Sequence, residues 1–187
     1  MRKILAAMLS ACTLAVATPA LAEEPPVEAS IVEHPDGLRT LVHEAVIDAS
    51  PAQVWATLAT EEGWKSWGVA FAKVDLRPSG TIETGYYPDT SAGDPRNIVH
   101  RILTLVPEQL MVTRVEQVPE GGPIDPAILE PMWAVYELEP LPGGQTLLRI
   151  AGHGYGEGED YDGMLAFFRR ANIASIEMMR AAIATVD

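Results

Sequence analysis

The chain has 187 residues, is 48% hydrophobic, and carries 26 acidic against 13 basic side chains, a net charge of −13. That acidity argues against nucleic acid or an anionic membrane surface as a partner. The only cysteine is Cys12, so everything after it lacks disulfides, a thiol nucleophile and Cys-built metal sites.

The N-terminus reads as an export signal. Arg2 and Lys3 form a positive start, residues 4–16 are almost wholly apolar or small, and Ala20-Leu21-Ala22 fits a small-x-small cleavage site. Leu9-Ser10-Ala11-Cys12 also matches a lipidation box. That box leaves only residues 4–8 as apolar core, short of the roughly 7 residues such a core needs, so simple secretion is preferred. Cleavage after Ala22 starts the mature chain at Glu23 and removes two basic residues, leaving 11 basic against 26 acidic ones. The segment is too short to remain as a stable membrane span. The expected location is periplasmic or secreted.

Residues 23–37, polar and proline-punctuated, read as a flexible leader. A strand follows from Leu38, with Leu41, His43, Ala45 and Ile47 on one face by the period of two. Ser50, Pro51 and Gln53 make a capping box with proline at the first helical position. Val54, Trp55, Leu58 and Ala59 form the apolar stripe of that helix, and Trp64 and Trp67 lie three apart on a second, shorter one. The texture then changes to strand and turn: 69–76, 81–87, 98–106, 110–118, 132–140 and 145–155. Between the fourth and fifth of these, 116–131 is long enough to act as a lid. The chain closes with a helix from about Asp160 to Thr185, on which Phe168, Asn172, Ile176, Met179 and Ile183 share a face.

Four phrases in order carry a resemblance: "IDASPAQVWATL", "EGWKSW", "VDLRPSG" and "YELEPLPGGQTLLRIAGHGY". Together they resemble the START-like SRPBCC superfamily, closest to the heat-shock-chaperone ATPase-activator homology family and its polyketide cyclase/dehydrase neighbours. The resemblance covers about residues 38–184. It implies an α+β helix-grip fold: a bent antiparallel sheet of about seven strands wrapped around the long C-terminal helix, with two short helices after the first strand. It divides the chain into signal peptide 1–22, leader 23–37 and one domain over 38–187, with a cavity between sheet and helix. Where relatives often carry Gly-Trp early in the last helix, this chain has Ala171-Asn172. An amide there implies more room and one hydrogen-bonding group.

The four histidines, His34, His43, His100 and His153, show no metal-ligand spacing. His34 reads as solvated and His153 as rim or exterior. His43 shares its apolar strand face, and His100 faces inward with Ile98 and Ile102 if Arg101 faces water. These two are the first places to seek a general base, against the ordinary alternative of hydrogen-bonded core histidines. Tyr136 alternates with Met132, Ala134 and Leu138, and Tyr86 follows Ile82 and Thr84, so each is a candidate phenol for fixing or polarising a ligand. The competing reading is simple packing. Glu137 and Glu139 read as a solvated stripe. The acidic loop with Glu157, Glu159, Asp160 and Asp162 lacks calcium-ligand spacing; Asp160 or Asp162 instead caps the last helix. No GxSxG elbow is present. No metal or cofactor is expected.

The sequence therefore points first to an exported START-like protein that binds a small hydrophobic or amphipathic molecule. Trp64, Trp67, Tyr86, His43, His100, Tyr136, Phe168, Asn172 and Ile176 are the candidate ligand contacts. The alternative is a cofactor-independent cyclase/dehydratase-like enzyme, with His100 or His43 as base and Tyr136 or Tyr86 as acid. A third reading, an accessory role for a cytosolic chaperone, follows the family's name, and the export signal opposes it.

Overall fold

The computed structural model describes residues 25–119 and 126–185. The expected signal peptide, Cys12 and the middle of the 116–131 segment lie outside these. In chain order the elements are β1 (Glu28–Glu33), β2 (Arg39–Ile47), α1 (Pro51–Ala59), α2 (Glu61–Lys65), β3 (Phe71–Val74), β4 (Thr81–Gly85), β5 (Ile98–Val106), β6 (Leu110–Gln117), α3 (Pro126–Leu129), β7 (Trp133–Pro140), β8 (Thr146–Tyr155) and α4 (Glu159–Ala184). The strands form one sheet in the order β1-β2-β8-β7-β6-β5-β4-β3, every neighbouring pair antiparallel. From β3 to β8 it is a plain meander. One crossover breaks the sequence: α1 and α2 carry the chain from β2 to the far edge at β3.

Two expectations need correction. The sheet has eight strands, because 28–33, within the stretch read as a leader, pairs along β2 from Glu28↔Glu44 to Glu33↔Arg39. Its charged ends disguise it, and most of its side chains are exposed, so it carries no apolar alternation to read. The hydroxyl of Thr40 ties this edge inward. It lies 2.8 Å from His34 Nε2 and 3.0 Å from His153 Nδ1. The second correction concerns α4, whose N-cap is Gly158 at φ 108°, not Asp160 or Asp162. Both acidic residues fall in the first turn, where the helix dipole favours them, and Asp162 pairs with Arg39 at 2.6 Å.

Alternation decides what faces the helix. On β2, Leu41, His43, Ala45 and Ile47 are all buried, as the period of two requires. The α1 cap forms as its sequence dictates: Gln53 N donates to Ser50 Oγ, and Ser50 N donates to Gln53 Oε1 at 2.9 Å. Val54, Trp55 and Leu58 then enter the core. The helix α2 folds back so closely on α1 that a Cβ on Gly63 would meet Ala56 O at 2.3 Å, so only glycine fits.

Two apolar clusters result. The larger joins α1, α2, the sheet and the C-terminal part of α4 through Ile176 and Met179. The smaller joins Leu41, Leu129, Met132 and Tyr155 to Met164 and Leu165 near the start of α4. Arg180, only 6% exposed, donates to Val46 O at 2.8 Å and so fastens α4 to β2. Among the described residues no helix is long and apolar enough to cross a membrane.

Neighbouring methionines on α4 test this packing. Met179 is fully buried and Met178 is 45% exposed. Met179→Ala is expected to lower unfolding free energy by about 2–5 kcal/mol, and Met178→Ala by no more than about 0.5, in urea titrations. Equal losses would show that α4 packs on another face.

Candidate functional site

Between the two clusters the sheet and α4 stand apart, leaving a cavity of about 210 Å³. Phe168, Asn172 and Ser175 face it from α4, at steps of four and three that place them on one side of the helix. Trp64 and Trp67 form one end. The sheet supplies the floor, with Tyr86 following β4, Ile98 and His100 on β5, Thr113 on β6, Tyr136 on β7 and Ile150 on β8.

The tryptophans are held by their own polar edges. Trp64 Nε1 donates to Leu58 O at 2.9 Å, and Trp67 Nε1 to Thr57 O at 3.2 Å. Those carbonyls belong to the last turn of α1, where the helix itself offers no donor. The indole N–H groups are therefore used within the fold, and the cavity receives ring surface from them. Trp64 is the hub of that surface: its ring centroid lies 5.9 Å from Trp67, 6.3 Å from His100 at an interplanar angle of 23°, and 6.4 Å from Tyr136 edge-on at 82°.

Of the sequence-derived candidates, the structure brings together Trp64, Trp67, Tyr86, His100, Tyr136, Phe168 and Asn172 around this cavity. Two fall outside its lining. His43 is fully buried beneath α4, with Nε2 3.3 Å from Arg169 O. Ile176 is fully buried in the larger apolar cluster. Strand parity and helix periodicity identify the inward face in both cases. They do not reveal where along that face helix and sheet close on each other. Tyr86 lines the cavity yet is 57% exposed, so it belongs to the rim.

Several lining residues were missed. Trp133 begins β7 with parity opposite to Tyr136, but its ring stacks on His153 at 5.0 Å and 12°, which holds it at the rim. Tyr155 closes β8 beyond Gly154, whose φ of 91° breaks the alternation. Nothing in the sequence marks Thr113 except parity on β6. It is 1% exposed and lines the cavity floor.

No Asp, Glu, Lys or Arg lines the cavity among the described residues. Its titratable groups are held neutral. Burial lowers the His100 pKa to about 4. Burial, together with the nearby Tyr86, pushes the Tyr136 phenol up to about 12, opposed by the Thr113 hydroxyl. His100 Nδ1 is enclosed with no hydrogen-bond partner, and Thr113 Oγ1 is enclosed without a hydrogen bond of normal geometry. His43 is also lowered, chiefly by burial.

These imidazoles set a pH dependence of folding. An unfolded histidine titrates near 6.5, whereas folded His100 titrates near 4. Between these values the unfolded chain binds more protons, so stability falls as pH falls. The thermal midpoint is expected to drop from pH 6.5 to 4, and less steeply in His100→Phe. Parallel slopes for the two proteins would contradict a buried neutral His100.

The model of the family described as "Activator of Hsp90 ATPase homolog 1-like protein" matches residues 48–177. No curated protein matches the chain in sequence. Solved structures do match its fold. CalU16 from Micromonospora echinospora is similar with a TM-score of 0.58 at 19% identity, covering 84% of this chain and 83% of that one. The Aha1 dimer from Colwellia psychrerythraea gives 0.60 at 18% identity over 77% and 95%. Protein MLL2253 from Mesorhizobium loti gives 0.61 at 17% identity over 80% and 99%. At these identities the likeness speaks to the fold, and the fold is the helix-grip arrangement described above. With the family model spanning most of its length, this chain belongs to the activator of Hsp90 ATPase homolog 1-like family of the START-like SRPBCC superfamily.

Proposed function

We propose that this protein binds a small hydrophobic or amphipathic molecule in the cavity between the sheet and α4. The observation that carries the reading is the lining: seven aromatic side chains, together with Ile, Leu, Val and Met, around about 210 Å³ of space without a charged group among the described residues. Such a wall binds by removing apolar surface from water, and its few polar atoms set orientation. A tight core would have closed this space, since interiors pack at crystal-like density.

A second reading, acid–base catalysis, has one observation in its favour. His100 and Tyr136 both flank Trp64, so an imidazole and a phenol share one wall. Their tuning opposes it. A general acid or base works best with a pKa near the working pH, and here burial sends the imidazole to about 4 and the phenol to about 12. Binding needs only that both remain neutral.

Titration with naphthalene, a neutral apolar probe, is expected to change the emission of Trp64 and Trp67. Ala134→Trp, which fills the cavity from β7, is expected to abolish that change while leaving the circular dichroism native. Binding that survives the filled cavity would refute the proposed site. Since neither His100 nor Tyr136 titrates between pH 6 and 9 at these values, affinity is expected to stay flat across that range. A bell-shaped profile would favour the catalytic reading.

The same proposal puts binding outside the cytosol, on the strength of the signal pattern in residues 1–22. The intact mass of protein recovered from the periplasm is expected to begin at Glu23. A chain retaining Met1, or a lipid on Cys12, would overturn that.

A further inference from the structure

We infer that the molecule held in this cavity is an uncharged, compact carbonyl compound, whose oxygen docks on the His100 imidazole and the Tyr136 hydroxyl. The inference rests on the binding reading above and adds charge, size and functional group.

Size comes from the space itself. About 210 Å³ lies below the roughly 300–1,000 Å³ of pockets for drug-sized ligands, which points to one or two fused rings.

Charge follows from the wall. A carboxylate, phosphate or ammonium entering the cavity would leave its hydration shell and meet no opposite charge among the described residues. His100 offers no cation either, because the same burial keeps its ring neutral.

The functional group follows from which way the polar atoms point. A neutral imidazole carries one hydrogen on one of its two nitrogens. Nδ1 of His100 is enclosed and unpartnered, so the ring presents its Nε2 edge to the cavity it lines. An enclosed donor without an acceptor is rarer and more costly than an enclosed acceptor left idle. The hydrogen therefore belongs on Nε2, facing the cavity as a donor. Tyr136 supplies the second donor. Its side chain lines the cavity, and a phenol hydroxyl can donate to a ligand oxygen there.

The register sets these groups on one floor. Along β6, His100 lies opposite Val115 and Tyr136 opposite Met111, two residues to either side of Thr113 and with the same parity. Trp64, in contact with both rings, gives a planar ligand a face to lie against. At the point served by His100 and Tyr136, two neutral donors beside an aromatic surface call for an acceptor without a hydrogen of its own. A ketone, aldehyde or quinone oxygen supplies it.

The test uses three bicyclic probes on the full mature protein: tetralin, its ketone 1-tetralone, and 1-naphthoate. The ketone is expected to bind about tenfold tighter than tetralin, the scale of one or two net hydrogen bonds, and naphthoate weakest. Tyr136→Phe and His100→Phe, which keep an aromatic ring, are expected to bring the ratio of ketone to tetralin affinity down toward one. The infrared carbonyl stretch of bound tetralone should move to lower frequency in the wild type and move back in each variant, a readout that packing alone would not shift. Tetralin binding as well as tetralone, or naphthoate binding best, would overturn this inference and leave the binding reading standing. Binding by none of the three would overturn both.

Discussion

The last turn of α1 is the constraint on which the site depends. A helix end leaves carbonyls that must find donors, and here two of them find the indole N–H groups of Trp64 and Trp67. That one arrangement satisfies buried carbonyls, fixes the short helix α2, and turns two large rings toward the sheet. A five-residue helix has little stability of its own. Its position comes from these bonds, from the Thr60 side-chain cap, and from the glycine that lets it lie against α1. The aromatic end of the cavity is thus built by capping chemistry.

The other wall depends on how α4 divides its inward face. Toward its start Met164 and Leu165 pack against the smaller cluster; further along, Ile176 and Met179 enter the larger one. Phe168, Asn172 and Ser175 lie between, where sheet and helix do not meet. An indole at position 172 would occupy that gap. The amide leaves the space open and exposes a group able to both donate and accept.

Much of this was legible in the sequence because the local signals agree with one another. Ser50, Pro51 and Gln53 define the start of α1, and β5 occupies the apolar run 98–106. Tyr136 and His100 face inward on the parity their neighbours give, even though β5 shifts register on either side of the Ile102 position. What escaped was set by contacts distant in sequence. β1 is a strand because β2 offers it an edge, not because its residues alternate. His43 and Ile176 share the faces of true lining residues, and only the closure of α4 on β2 separates core from cavity. Trp133 breaks parity because a ring stack with His153, twenty residues on, holds it at the rim.

The cavity's polarity is the last consequence of its construction. Placing an imidazole and several hydroxyl groups, those of Thr84, Thr113 and Tyr136 among them, on a largely apolar floor costs their hydration, and that cost falls hardest on any ionised form. Burial therefore shifts the imidazole and the phenol in opposite directions, each away from neutral pH and each toward its uncharged state. A site tuned this way keeps the same hydrogen-bonding face over a wide pH range. It trades reactivity for constancy, as the proposed binding role requires.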